Sequence, residues 1–256
     1  MKTKSLGFIG GGRITNIILR AFTNFDEVFD EVVVYDTQPE AVEKLREQFH
    51  FVHDGDLLQA ASQPIVFIAL HPPAIMETLE QIKEVVGKNT VVISLAPKIT
   101  LAQLASKLNT RLLARMIPNA TSYNNDGFNP IAFEEPLEKA DRKKIKRFLN
   151  ILGKIFITEE SKLESYAVVS AMLPTYFWFQ WQTMQDIAEQ TGLSKEEANR
   201  AIRASLKKAL RLYFDAGLTP EEVMDLIPVK PLGEHEAAIK SMYQTKLVGL
   251  FEKIKS

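Results

Sequence analysis

Three consecutive glycines, Gly10-Gly11-Gly12, close a short apolar run (Leu6-Gly7-Phe8-Ile9) and pass directly into a helical pattern through Ile17, Ile18 and Ala21. Strand, glycine turn and helix in that order constrain the fold more than any other feature of the chain. Gly10 lets the backbone reverse sharply, and Gly12 lets it approach an anion closely. The helix opening with Arg13 and Ile14 points its free N–H groups and dipole at that anion. This is the arrangement that the pyrophosphate of a dinucleotide needs. The spacing reads G-x-G-x-x-T, with Thr15 where the pattern prefers glycine or alanine.

A second strand, Val32-Val33-Val34, ends at Asp36. A carboxylate about 20 residues after the glycines can accept both ribose hydroxyls of an adenosine. The alternative is that Asp36 caps the helix beginning near Pro39. Facing the ribose, Asp36 would oppose a 2′-phosphate by up to ~4 kcal/mol per unit charge at ~4 Å and an effective dielectric near 20. Arg13 could offset part of that. NAD is therefore favoured over NADP.

Further on, Ile65-Val66-Phe67-Ile68-Ala69 and Val91-Val92-Ile93-Ser94 are continuous apolar runs, as expected of strands buried on both faces of a parallel sheet. Between them Ile75, Leu79, Ile82 and Val86 recur at helical spacing, and Thr100 caps another helix through Leu101, Leu104 and Leu108. Leu112 to Ile117 and Lys154 to Thr158 read as further strands. The alternation predicts a Rossmann-type, doubly wound α/β domain over residues 1–158. Ligands of such sheets bind at the carboxyl ends of the strands. Those ends here carry Ala69, Leu70 and His71, then Ala96, then Asn119. His71 reads either as a site residue or as an ordinary strand-end histidine, and Asn119 as an amide able to orient a carboxamide or a water. The Lys- and Arg-rich stretch from Asp141 to Arg147 reads as a solvated helix face.

From 159 to 256 the pattern is helical throughout, and an all-helical second domain is expected. Pro174 should kink its first helix. Tyr176, Phe177, Trp178, Phe179 and Trp181 surround that helix, which should therefore be buried all round. Ser194 with Glu197 forms a capping box. A domain of under ~100 residues with helices apolar on several sides has too little core of its own, so a homodimer through the helical domain is expected.

Composition removes whole classes of function. The formal net charge of -1 argues against nucleic acid or an anionic membrane as partner, and the absence of cysteine excludes disulfides and thiolate chemistry. His235-Glu236 begins an H-E-x-x-H, but Ile239 takes the second histidine position, so no metal site is expected. No signal-like segment opens the sequence, and a soluble cytoplasmic protein acting on a small molecule is the expectation.

Several of these segments, in this order, resemble pyrroline-5-carboxylate reductases. Gly7-Phe8-Ile9-Gly10-Gly11-Gly12 is similar to that family's opening turn, Ala69-Leu70-His71-Pro72 to its A-V-K-P, and Arg115-Met116-Ile117-Pro118-Asn119 to its R-x-M-P-N. Ser170-Ala171-Met172-Leu173-Pro174-Thr175-Tyr176 is similar to its S-G-S-G-P-A-Y. The likeness implies a nicotinamide-dependent oxidoreductase of proline biosynthesis, dimeric through its helical domain. The departures fall toward the substrate. His71 replaces a lysine, and Ala171 and Leu173 replace glycines. The loop similar to S-P-G-G-T-T reads Lys230-Pro231-Leu232-Gly233-Glu234-His235, with His235 where the family carries threonine.

Reducing a C=N or C=O bond needs hydride from the nicotinamide and a proton for the heteroatom. His235 is the candidate for substrate contact and proton donation, and the alternative is a roleless residue at a helix start. Lys230 with the adjoining helix N-terminus can hold a carboxylate, and Pro174 and Thr175 are expected to line the substrate site. Two readings remain: an active reductase of a small imino or oxo acid, and a nucleotide-binding sensor or scaffold that has lost catalysis.

Overall fold

A computed structural model describes residues 5–25 and 29–255. Eight strands form one sheet in the order β3-β2-β1-β4-β5-β6-β7-β8. They are β1 Ser5–Ile9, β2 Glu31–Tyr35, β3 Val52–Asp54, β4 Ile65–Ile68, β5 Val91–Ser94, β6 Leu113–Met116, β7 Gly127–Phe133 and β8 Gly153–Ile157. All neighbours pair in parallel except β6 and β7, which run antiparallel with Met116 opposite Ile131. Parallel pairing needs a crossover of a dozen or more residues. The connection from β6 to β7 holds only a single 3-10 turn, Ala120–Asn124, so the strand returns in the opposite sense.

The continuous apolar runs are explained by burial on both sides. Alternate residues point to opposite faces. Leu6, Phe8, Val32, Val34 and Phe67 meet helices α1 (Arg13–Asn24) and α6 (Lys139–Leu149) through Ile18, Leu19, Phe22, Ile145 and Leu149. Ile9, Val33, Val66, Ile68 and Val92 meet α3 (Leu57–Ala61), α4 (Pro72–Ile82) and α5 (Leu101–Ala105) through Ala60, Ala61, Ile75, Leu79, Ile82 and Leu104. Helix α2 (Pro39–Gln48) contributes Val42 and Leu45 to the first face. Gly7 is required on the second face: a Cβ there would lie 1.8 Å from the Ala60 carbonyl oxygen.

The strand signal ends near Thr158, yet the chain divides into compact units later, at Ala171. One unit is Met1–Ala171 with Leu250–Ser256, and the other is Met172–Gly249. Residues 159–171 stay with the sheet for two reasons. Leu163 and Ala167, from α7 (Leu163–Tyr166) and the π-type turn Ala167–Ala171, are buried in the second core face. In addition, the fully buried Arg115 of β6 pairs with Glu160 (Nη1 to Oε1, 2.7 Å) and with Glu164, which is itself buried.

The second unit is all helical: α8 Leu173–Gln190, α9 Lys195–Asp215, α10 Pro220–Asp225 and most of α11 Glu236–Ile254. The Ser194–Glu197 capping box forms, and Thr219 makes another with Glu222. One expectation is corrected. Pro174 kinks nothing, because the chain before it ends in the π-type turn and α8 starts afresh at Leu173. Its missing N–H falls in the first turn, where no partner exists to lose. Within one chain no residue of α8 is buried, and Trp178, Phe179 and Trp181 are all exposed, so the all-round burial expected of this helix would have to come from a partner surface. Ala198 is the one buried residue of this unit.

Arg115→Met removes the guanidinium that two carboxylates share. Unfolding in urea should show a loss of about 3–5 kcal/mol with an unchanged slope. A loss below about 1 kcal/mol would show that the cluster does not hold residues 159–171 to the sheet.

Candidate dinucleotide and substrate site

The glycine turn lies at the carboxyl ends of β1 and β4, where the strand order reverses from β2 on one side to β5 on the other. Gly10 has φ +110, its N–H donates to the Tyr35 carbonyl at 2.7 Å, and a Cβ on it would lie 2.5 Å from the Ala69 carbonyl oxygen. Only glycine fits there. Gly12 is different: an added Cβ would meet nothing within 4 Å, so its main chain borders open space at the start of α1. A hollow lined by bare backbone at a helix N-terminus is what a diphosphate requires.

Thr15 turns out to stabilise the turn. It is fully buried, and its hydroxyl donates to the Gly10 carbonyl at 2.6 Å, tying helix to turn where a small residue would only pack. Asp36 is not the cap of α2, whose N-cap is Gln38. Its carboxylate faces the turn instead. Oδ2 accepts the Gly11 N–H at 2.7 Å, and Oδ1 accepts the Gln38 N–H at 2.9 Å. Arg13 is exposed and Ile14 half-buried at the start of α1.

At the same edge, Ala69 donates its N–H to the Ile9 carbonyl at 2.8 Å, Leu70 is half-buried, and His71 is the exposed N-cap of α4 with no side-chain cap bond. Ala96 is buried, and its carbonyl accepts from Arg115 Nη2 at 3.5 Å. The structure thus gathers Gly10, Gly12, Arg13, Ile14, Asp36, Ala69, Leu70, His71 and Ala96 at one edge of the sheet. Asn119 follows β6 but turns inward. Its Oδ1 accepts from the Thr121 N–H and hydroxyl at 3.0 and 2.9 Å, and its Nδ2 donates to the Ser170 carbonyl at 3.2 Å. Buried and engaged in this way, the amide orients the protein's own turn.

In the second unit Pro174 occupies the first turn of α8, and the Thr175 hydroxyl donates to the Met172 carbonyl at 2.6 Å. Thr175 also lines a cavity of about 200 Å³ with Tyr176, Phe179, Met242, Tyr243, Lys246 and Leu247. Burial first, and Tyr243 second, push the Tyr176 phenol up from its ordinary range. Lys230 and His235 stand on the segment before α11. His235 is exposed in the 3-10 turn Gly233–His235, its Nε2 3.4 Å from Glu234 Oε1, and Glu236 pairs with Lys240 at 2.6 Å. That helix start therefore carries acids as well as Lys230. Among the described residues no cluster of metal ligands occurs, and no helix is long and apolar enough to cross a membrane.

A cavity of about 700 Å³ beside β7 and β8 is a poorer candidate for an anionic ligand. Glu134, Glu135, Glu159 and Glu160 face it with Arg142 and Lys162, and burial, then Glu160 and Glu135, raise the Glu134 carboxyl. Sequence reasoning missed the Arg115 cluster. Its signal was a charged residue inside an apolar strand, which demands a buried partner.

Residues 5–98 match the family described as "NADP oxidoreductase coenzyme F420-dependent". The chain is 24% identical over 228 residues to the pyrroline-5-carboxylate reductase of Escherichia coli K12, covering 88% of this chain and 84% of the relative. It is 22% identical over 255 residues to pyrroline-5-carboxylate reductase 2 of Bacillus subtilis 168, covering 95% and 88%. Among solved structures, Plasmodium falciparum pyrroline carboxylate reductase with NADP bound is similar in fold: TM-score 0.77, 17% identity, 99% of this chain and 96% of that one. The Coxiella burnetii pyrroline-5-carboxylate reductase gives a TM-score of 0.68 at 24% identity, over 99% and 95%. In sequence and fold the chain is similar to these reductases.

The two glycines should respond oppositely to alanine. Gly10→Ala places a strained residue against the Ala69 carbonyl and should cost about 1–3 kcal/mol or more in thermal unfolding. Gly12→Ala should fold within about 1 kcal/mol of the parent yet weaken dinucleotide binding by about tenfold or more in titration calorimetry. Equal affinity in Gly12→Ala would show that the hollow is not the anion site.

Proposed function

We propose that this chain is a nicotinamide-dependent reductase acting on the C=N bond, or C=O bond, of a small imino or oxo acid. The observation that carries the reading is the hollow at Gly12, open at the start of α1 and framed by the Asp36 carboxylate. By this reading the Gly12 main chain and the first turn of α1 hold the diphosphate, Asp36 accepts from a ribose, and Ala69, Leu70, His71 and Ala96 border the reactive end. When bound, the nicotinamide supplies the hydride. Pro174, Thr175, Lys230 and His235 are assigned to substrate. A protonated imine needs placement but no acid, whereas a carbonyl gains from a proton held at His235 Nε2.

NAD is preferred to NADP on the charge of Asp36, whose following residues Thr37, Gln38 and Pro39 offer no cation for a 2′-phosphate. The NADP-bound Plasmodium relative supports a nicotinamide cofactor without settling this choice. The curated relatives match through the helical half as well as the cofactor half, which supports catalysis over a sensor that has lost it. A cytoplasmic homodimer completes the proposal. The exposed apolar residues of the helical unit, Phe179, Phe214, Ile227 and Val229 among them, are ones that a second copy would cover.

Two measurements test the reading. NADH at a hundredfold excess over its dissociation constant should stabilise the fold by about 2.7 kcal/mol, and a panel of cyclic imines and 2-oxo acids should oxidise it. No thermal response to any nicotinamide dinucleotide would sink the proposal. Asp36→Ser should shift the NADPH-to-NADH preference toward NADPH. It should also cost about 1.5–3 kcal/mol, because the serine replaces a carboxylate that accepts two main-chain N–H groups. An unchanged cofactor ratio would remove Asp36 from the ribose site.

A further inference from the structure

Lys98 and Asn125 are the non-glycine residues at positive φ among the described residues, at +70 and +60. Asn125 has a reason to be there. Asparagine tolerates that conformation, and its Nδ2 donates to the carbonyls of Ala21 (2.8 Å) and Ile151 (2.7 Å). Lys98 has no such compensation. It is exposed, and its side chain makes no hydrogen bond or ion pair among the described residues. Strain of this kind persists where the surroundings hold it, and it gathers at functional sites.

The surroundings do hold it. On one side Ala96 is tied through its N–H to Ser94 Oγ (3.4 Å) and through its carbonyl to Arg115. On the other side Ile99 and Leu101 are buried, Thr100 caps α5, and the Leu101 N–H donates to Glu160 Oε1 at 2.7 Å. Lys98 is therefore presented from a fixed arch. The arch follows β5, whose Ser94 is in register with Ile68 of β4, so it neighbours the Ala69–His71 segment at the carboxyl edge. In a doubly wound sheet the dinucleotide straddles the switch point. With Asp36 on the β2 side, the reacting half falls over β4 and β5. Residues 69–73 and 94–100 include no carboxylate, and among the described residues the ammonium forms no ion pair, with Glu160 of the adjoining segment engaged by Arg115 and the Leu101 N–H.

We propose that Lys98 is a specificity-determining residue that pairs with the carboxylate of the imino or oxo acid at the reacting end of the crevice. This rests on the reductase reading above. A fixed cation without an internal partner suits a ligand anion, since ordering it costs little at the moment of binding.

The test compares the parent with Lys98→Asn, which is neutral and tolerates the backbone conformation, and with Lys98→Arg. Each is assayed on pyrroline-5-carboxylate and on 1-pyrroline, the same imine ring without a carboxylate. Lys98→Asn should raise KM for the acid about tenfold with little change in kcat. It should leave 1-pyrroline and NADH affinity unaffected, and Lys98→Arg should recover most of the loss. An unchanged KM, an equal loss on both imines, or a matching loss of NADH affinity would overturn the proposal. A parent that reduces neither imine counts against the reductase reading itself. Calorimetric binding of proline to the NADH complex then decides Lys98 separately. Weaker binding in Lys98→Asn supports the role, and binding that is absent or unaltered overturns it.

Discussion

The buried guanidinium of Arg115 is the contact on which the working edge of this sheet depends. It sits in β6 at 1% exposure and meets Glu160, Glu164 and the Ala96 carbonyl. Taking such charges out of water costs several kcal/mol per ion, so their gain lies less in stability than in fixing one arrangement. Three pieces of chain converge there: β6, the loop after β5, and the turn-rich segment 159–171. Glu160 also accepts the Leu101 N–H, which pins the start of α5. Without this cluster the loop after β5 would lack its anchor, and the left-handed residue it carries would lack the support that keeps it strained.

The glycine turn rests on a different economy. Gly10 is compressed between β1 and β4, while Gly12 two residues later faces empty space. Close packing and openness thus alternate within one turn. Thr15 bonds the Gly10 carbonyl from inside the helix, and Asp36 bonds the Gly11 N–H from the end of β2. Asp36 is thereby a brace for the turn, tying the end of β2 to the glycines.

The helical unit obeys the same packing rules with a different result. Its helices are well formed and well capped, but they leave Trp178, Phe179, Leu210 and Phe214 open to solvent. Capping and propensity act within a few residues and need no core. Burial needs a partner surface, and a single unit of this size supplies little.

Much was legible from local pattern. Apolar runs marked the strands that are buried on both faces, and the cap residues Thr100 and Ser194 stand where the structure uses them. Other elements were not legible. Strand β3 spans three residues, and β7 carries Pro130 within its run, so neither shows a clear period. Pro174 was misjudged because a proline inside a continuous helical pattern and a proline opening a new helix look alike until the preceding turn is seen. What the sequence determined by itself was the order of elements, the glycine turn and the family it resembles, because these follow from backbone sterics and near-neighbour spacing. Only the tertiary structure decided that Asn119 faces inward, that Arg115 is paired, that residues 159–171 belong to the sheet and that Lys98 is strained. Each of these depends on groups brought together from distant parts of the chain.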